Sequence, residues 1–200
     1  MGKDSKYSIY VAEVSCTETP KSNTMPTWDD INSLKSFYHC FLMLMDETKG
    51  NGYDAEIIQQ LHFDKNRGKM IPMLPKKDDR YSTVRDLDLF PYVSGDAPYI
   101  SEMWNEILSF AVEIKEQEIY FGRGFRHDDD AINCRTGVKA SLTRVGLTFC
   151  NEFTKSTAGT QATDFPTVEV IEVAHHDTDL ALIQRRRDEL SQNFVPKGFY

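Results

Sequence analysis

Phe37-Tyr38-His39-Cys40-Phe41-Leu42-Met43-Leu44-Met45 is an unbroken apolar run of strand length with a histidine near its head. A run that does not alternate reads as a strand covered on both faces. Asp46 to Asp54 follows, holding Gly50-Asn51-Gly52, a strong turn signal. Ala55 to Asp64 then reads as a second strand folding back on the first as a hairpin. Side chains alternate along a strand, so Gln60, His62 and Asp64 share one side. The hairpin anchors an α+β reading, an antiparallel sheet packed against helices.

Upstream, Lys6 to Cys16 is rich in β-branched and aromatic residues and reads as a strand, and 17–27 as a loop. Thr27 and Asp30 have the spacing to open a short helix to about Leu34. Downstream, 65–97 carries Lys, Arg, Asp, Gly and three Pro with little periodicity. It reads as a long surface excursion with a short strand around Met70-Ile71-Pro72-Met73-Leu74. From Tyr99, the residues Ile100, Met103, Trp104, Ile107, Leu108, Ala111 and Ile114 mark one face of a helix ending near Glu118. Ile119 to Ile132 is a loop, and a second helix runs from Asn133 to about Glu152. Beyond it come a connector at 153–164, an edge strand or helix-leading segment at 165–174, a polar helix at 177–193 and a loose tail. The expected organisation is a catalytic domain over 1–152, with 153–200 packed on it or trailing it.

The 200 residues carry 40% apolar and 12% aromatic side chains, enough for a real core. A net charge of −8 argues against non-specific nucleic-acid binding, because phosphate contacts need clustered Lys and Arg. Arg185-Arg186-Arg187 lies among acidic and amide residues and reads as a solvated face. No stretch approaches the ~18 consecutive apolar residues of a membrane span. The opening residues lack the apolar core of a secretory signal. Cys16, Cys40, Cys134 and Cys150 form neither a disulfide framework nor a zinc-site spacing. Reduced thiols in the cytoplasm are expected, and delivery into another cell's cytosol without a signal peptide fits equally. No metal or cofactor is expected.

One cysteine stands apart. In Asp129-Asp130-Ala131-Ile132-Asn133-Cys134-Arg135-Thr136-Gly137-Val138 a charged loop runs into a helix, with the cysteine at the junction. Val138, Leu142, Val145 and Phe149 continue as one helical face. A thiol in a first helical turn sits near unpaired N–H groups and the positive end of the helix dipole, which favour the thiolate. Cys134 is therefore the candidate nucleophile, although a place on the apolar stripe also suits an inert core cysteine. His39, on a strand, is the candidate base. The orienting group comes from the neighbouring strand, His62 first, with Gln60 or Asp64 behind it.

Three segments carry a resemblance: Tyr38-His39-Cys40-Phe41-Leu42-Met43-Leu44, Leu61-His62-Phe63 and, much later, Asn133-Cys134-Arg135-Thr136-Gly137-Val138. In this order they resemble the circularly permuted papain-like superfamily, related to NlpC-type cell-wall peptidases and lecithin:retinol acyltransferase-like proteins. The resemblance spans about residues 6 to 150. It implies a papain-like permuted core with Cys134 as nucleophile, His39 as base and His62 as orienting residue. The implied activity is that of a thiol hydrolase or acyltransferase on an amide, isopeptide or ester bond of a protein or peptide-like substrate. The insertion at 65–97 and the last fifty residues depart from the pattern.

Other motifs read more plainly. Asp128, Asp129 and Asp130 form an acidic rim suited to a basic or amine-bearing substrate. Asp177 after His175-His176 reads as a helix cap. The alternative function is a non-catalytic protein-binding module, a secreted effector among the possibilities, with 65–97 as its interaction loop. Separation of the Cys134 sulfur from the His39 imidazole discriminates the two.

Overall fold

In a computed structural model, residues 5–16, 37–75, 87–121, 132–149 and 168–171 are described. The apolar run at 37–45 becomes β2 (Phe37–Asp46), the middle strand of a five-stranded sheet. On one side it pairs with β1 (Lys6–Cys16), and on the other with β3 (Glu56–Asn66), both antiparallel. A 3-10 turn at Gly52–Asp54 lies in the β2–β3 connection, where the Gly50-Asn51-Gly52 signal predicts a turn. β2 lacks alternation because both its faces are covered. Cys40, Leu42 and Leu44 belong to one core, and Phe41, Met43 and Met45 to a second across the sheet.

Within the excursion expected at 65–97, the described residues are largely sheet, and the short strand expected around Met70–Leu74 is present as the fourth strand. β3 turns at Arg67 and Gly68, both at positive φ (49° and 84°), straight into β4 (Lys69–Met73). Two successive positive φ values match the twist that a two-residue hairpin needs. β5 (Asp88–Asp96) pairs with the far side of β1, giving the order β4-β3-β2-β1-β5. The strand around Pro91 is the one the sequence reading missed. Pro72 and Pro91 lie in the two outermost strands, where a missing N–H is tolerated, and Pro91 adjoins a register shift opposite Ile9 and Tyr10. Residues 76–86 lie outside the described residues.

β5 runs directly into α1 (Ala97–Glu116), whose Ile100, Met103, Trp104, Ile107, Phe110, Ala111 and Ile114 are buried. α2 (Cys134–Arg144) lies over β2 and β3. It ends near residue 144, not 152. Gly146 takes a left-handed φ of 75°, its N–H donates to the Thr143 carbonyl at 3.0 Å, and the Leu147 N–H returns to Leu142 at 2.9 Å. The chain leaves the helix there, and Phe149 packs on Tyr92 instead.

Of 153–200, only 168–171 are described, and they form neither strand nor helix. The Ile171 N–H donates to the Arg144 carbonyl at 2.8 Å, which docks this segment on the end of α2. The short helix at 27–34, the connector at 153–164 and the helix at 177–193 lie outside the described residues. Among the described residues no helix is long and apolar enough to cross a membrane.

Candidate active site

The β2–β3 ladder runs from the hairpin only as far as Phe41 opposite His62. β3 continues beside β4, with His62 opposite Met73. Past that last rung the Cys40 N–H donates to the Cys134 sulfur, so the first residue of α2 stands where the ladder stops. This brings a helix N-terminus to the edge of a strand that carries a histidine.

The start of α2 is tightly specified. Asn133 is its N-cap, and its side-chain oxygen accepts from the Arg135 N–H at 2.9 Å and the Thr136 N–H at 3.4 Å. The Asn133 N–H returns to the Thr136 hydroxyl at 3.2 Å, closing a capping box. The Gly137 N–H donates to the Asn133 carbonyl at 3.2 Å. Among the first-turn donors this leaves the Cys134 N–H without an acceptor among the described residues.

Arg135, buried, pairs with the equally buried Glu13 of β1 and ties the helix start to the sheet. Sequence reasoning missed this pair, yet its signal is present. Arg135 stands three residues before Val138 on the apolar stripe, and Glu13 continues the inward series Ile9, Val11. A charge of each sign in an apolar register points to a buried partner.

The site residues expected from the sequence converge. His39 makes a side-chain hydrogen bond with Cys134. Its Nε2 lies 2.8 Å from Nδ1 of His62, which leaves Nδ1 of His39 for the sulfur. Nε2 of His62 is 2.9 Å from Oε1 of Gln60. The Phe41 ring stacks on His62 with centroids 4.1 Å apart. Gln60 and His62 are buried, His39 and Cys134 half-buried. Asp64 is exposed and contributes through its charge on His39. Cys40 is a buried thiol, its pKa pushed well up by burial. The acidic rim at 128–130 and the 175–177 motif lie outside the described residues, as does Cys150.

The electrostatics favour a charged pair. Burial raises the Cys134 thiol, but the hydrogen bond and charge of His39, the Cys40 N–H and the Arg135 guanidinium bring it below the ordinary thiol value. Burial pulls His39 down, and the Cys134 bond, the sulfur's charge and Asp64 carry it above its ordinary value. His62 is pushed down to about 3, first by burial and then by the charge on His39, so it stays neutral near pH 7. A thiol shifted toward the thiolate beside an imidazole shifted toward the imidazolium, with an N–H that has no acceptor among the described residues, is the donor set that nucleophilic cysteine chemistry requires.

No family model, no curated protein and no solved structure matches the chain.

Proposed function

We propose that the protein is a cysteine-nucleophile hydrolase or acyltransferase acting on an amide, isopeptide or ester bond of a protein or peptide-like substrate. The single observation that carries this reading is the hydrogen-bonded series Cys134, His39, His62 and Gln60 at a capped helix N-terminus. Inert core cysteines need no such series.

In the proposed reaction the Cys134 sulfur attacks the acyl carbon, and the Cys134 N–H stabilises the oxyanion that develops. The carbon–nitrogen or carbon–oxygen bond then breaks, and the leaving group takes the proton from Nδ1 of His39. A thioester remains on Cys134. Water gives a proton back to Nδ1 of His39 as it adds to the thioester, releasing the acid and restoring the pair. An amine in the place of water gives acyl transfer. No step needs a cofactor. The order His39, His62, Cys134 along the chain supports kinship with the permuted papain-like enzymes as part of the same proposal.

The test is alkylation by iodoacetamide at pH 6, followed by peptide mapping to the Cys134 peptide. Wild type is expected to label rapidly, and Cys134→Ala to lose the adduct. His39→Ala is expected to label about a hundredfold more slowly, because a thiol of ordinary pKa is under 1% thiolate at that pH. Equal rates in wild type and His39→Ala overturn the proposal. With peptide or ester substrates, an acyl adduct on Cys134 that neutral hydroxylamine removes identifies the intermediate.

A further inference from the structure

Gln60 and His62 stand two residues apart on β3, buried, with side chains on one face. Oε1 of Gln60, 2.9 Å from Nε2 of His62, can only accept. A neutral His62 therefore carries its proton on Nε2 and a lone pair on Nδ1. That lone pair faces Nε2 of His39 at 2.8 Å, so this nitrogen of His39 must be an N–H. His39 then has one arrangement left for Cys134: a lone pair on Nδ1 when neutral, an N–H there when charged.

We propose that Gln60 is a positioning residue that fixes the tautomer of His62, and through it the tautomer of His39. The proposal rests on the reading of Cys134 and His39 as nucleophile and base, and goes beyond it. A charged His39 donates from Nε2 and itself demands a lone pair on Nδ1 of His62, but in the neutral pair His62 alone does not impose the direction, since a neutral imidazole holds its proton on either nitrogen. With the proton on Nδ1, His62 would donate to Nε2 of His39. His39 would then hold its own proton on Nδ1, and an N–H would meet the thiol where a base is required. Among the described residues, the other charged or titratable groups that act on the pair do not choose between these states. Asp64 on β3 supports a charge on His39, Cys40 on β2 is a buried thiol, and Arg135 on α2 is held by Glu13 on β1.

Two readouts on the full chain test this. In protein labelled with 15N-histidine, long-range 1H–15N spectra at pH 7 are expected to show His62 protonated on Nε2 alone. Gln60→Glu keeps an accepting oxygen and keeps that pattern. Gln60→Leu removes it, His62 becomes a mixture of tautomers, and the acid-side midpoint of Cys134 alkylation rises by about one pH unit, or ~1.4 kcal/mol. A purely structural role would lower stability and leave the midpoint in place.

Wild-type His62 protonated on Nδ1, or a folded Gln60→Leu protein with an unmoved midpoint, overturns the proposal. Where Gln60→Leu fails to fold, the wild-type and Gln60→Glu spectra decide it. The tautomer is read without any turnover. Labelling that ignores His39 therefore defeats the functional reading while leaving the tautomer assignment standing.

Discussion

The two ends of β2 both hold buried polar groups, and they treat them in opposite ways. Glu47, just past the end of the strand, is enclosed. Its Oε1 accepts from the Tyr10 hydroxyl at 2.5 Å, and its Oε2 accepts from Ser94 at 3.2 Å and pairs with Lys6 at 3.3 Å. The Gly52 N–H donates to the Tyr10 oxygen at 3.3 Å. These contacts latch the β2–β3 turn to β1 and β5. Near the other end, His39 and Cys134 are half-buried, and one N–H beside the sulfur has no acceptor among the described residues. The Cys134 end differs from the latch less in its buried charge than in a donor left without an acceptor among the described residues, which the proposed reaction would use.

The largest expected difference between the two ends is kinetic. Glu47→Gln is expected to lower stability by about 1–3 kcal/mol, as a buried hydrogen-bond network loses its charged acceptor, while Cys134 alkylation at pH 6 stays unchanged. His39→Ala is expected to reverse the pattern, with alkylation about a hundredfold slower and a smaller change in melting temperature. A Glu47→Gln protein that labels as slowly as His39→Ala would erase the distinction.

Next in size is the buried ion pair under the site. Arg135→Met leaves the Glu13 carboxylate buried without its partner, which costs about 3–5 kcal/mol. Adding Glu13→Leu to Arg135→Met removes the stranded charge, and chemical denaturation is expected to show most of the loss recovered. If the double variant is no more stable than Arg135→Met, the pair does more than neutralise itself.

This pair also marks where the sequence stops being legible. The hairpin of β2 and β3, α1, and Cys134 at the head of a helix are all readable, because each is a local pattern: an apolar run, a Gly-Asn-Gly turn, a repeat of 3 and 4. That His62 shares a face with His39 follows from the hairpin and the alternation of side chains. Glu13 and Arg135 lie 122 residues apart, and only the fold shows that two charges in apolar registers meet. β4 is readable as a short strand around Met70–Leu74, but β5 is hidden for a different reason. Outer strands tolerate proline and solvent-facing polar residues, so such a strand can carry the signals of a loop. The end of α2 depends on the backbone of Gly146, whose left-handed φ no apolar periodicity encodes.

The pH dependence of stability sharpens the contrast at the level of a single side chain. With its folded pKa lowered from 6.5 to about 3, His62 stays unprotonated in the folded chain where the unfolded chain takes up a proton. The unfolded state thus binds more protons between those values, and stability falls by up to about 1.4 kcal/mol per unit as pH drops through that window. His39, raised in the folded state, works the other way: its contribution is fully present below its ordinary value and is lost as pH rises through the folded value. Replacing His62 by glutamine is expected to flatten the acid limb of a melting-temperature profile between pH 6.5 and 4. An acid limb as steep as wild type would place the sensitivity elsewhere.

The smallest effect is expected at Gly137, where two known terms have opposite signs. Alanine in a helix interior is favoured over glycine by about 1 kcal/mol. A Cβ at this position would lie 2.5 Å from Cγ of Phe63 and 2.6 Å from Cδ2. These atoms sit at the root of the ring, so rotating the ring about its own axis does not clear the contact. Overpacking of this kind costs about 1–3 kcal/mol, so the clash outweighs the propensity and Gly137→Ala is expected to lose about 1 kcal/mol. The strain falls between α2 and β3, three residues after Cys134 and one residue after His62. Iodoacetamide labelling at pH 6 should therefore slow several-fold, and Phe63→Leu added to Gly137→Ala should restore part of the rate by giving the methyl group room. A Gly137→Ala protein that melts higher and labels at the wild-type rate would mean that α2 moves away from β3 at no expense to the site. The Cys134–His39 geometry would then be held from the β1 side, by Arg135 on Glu13.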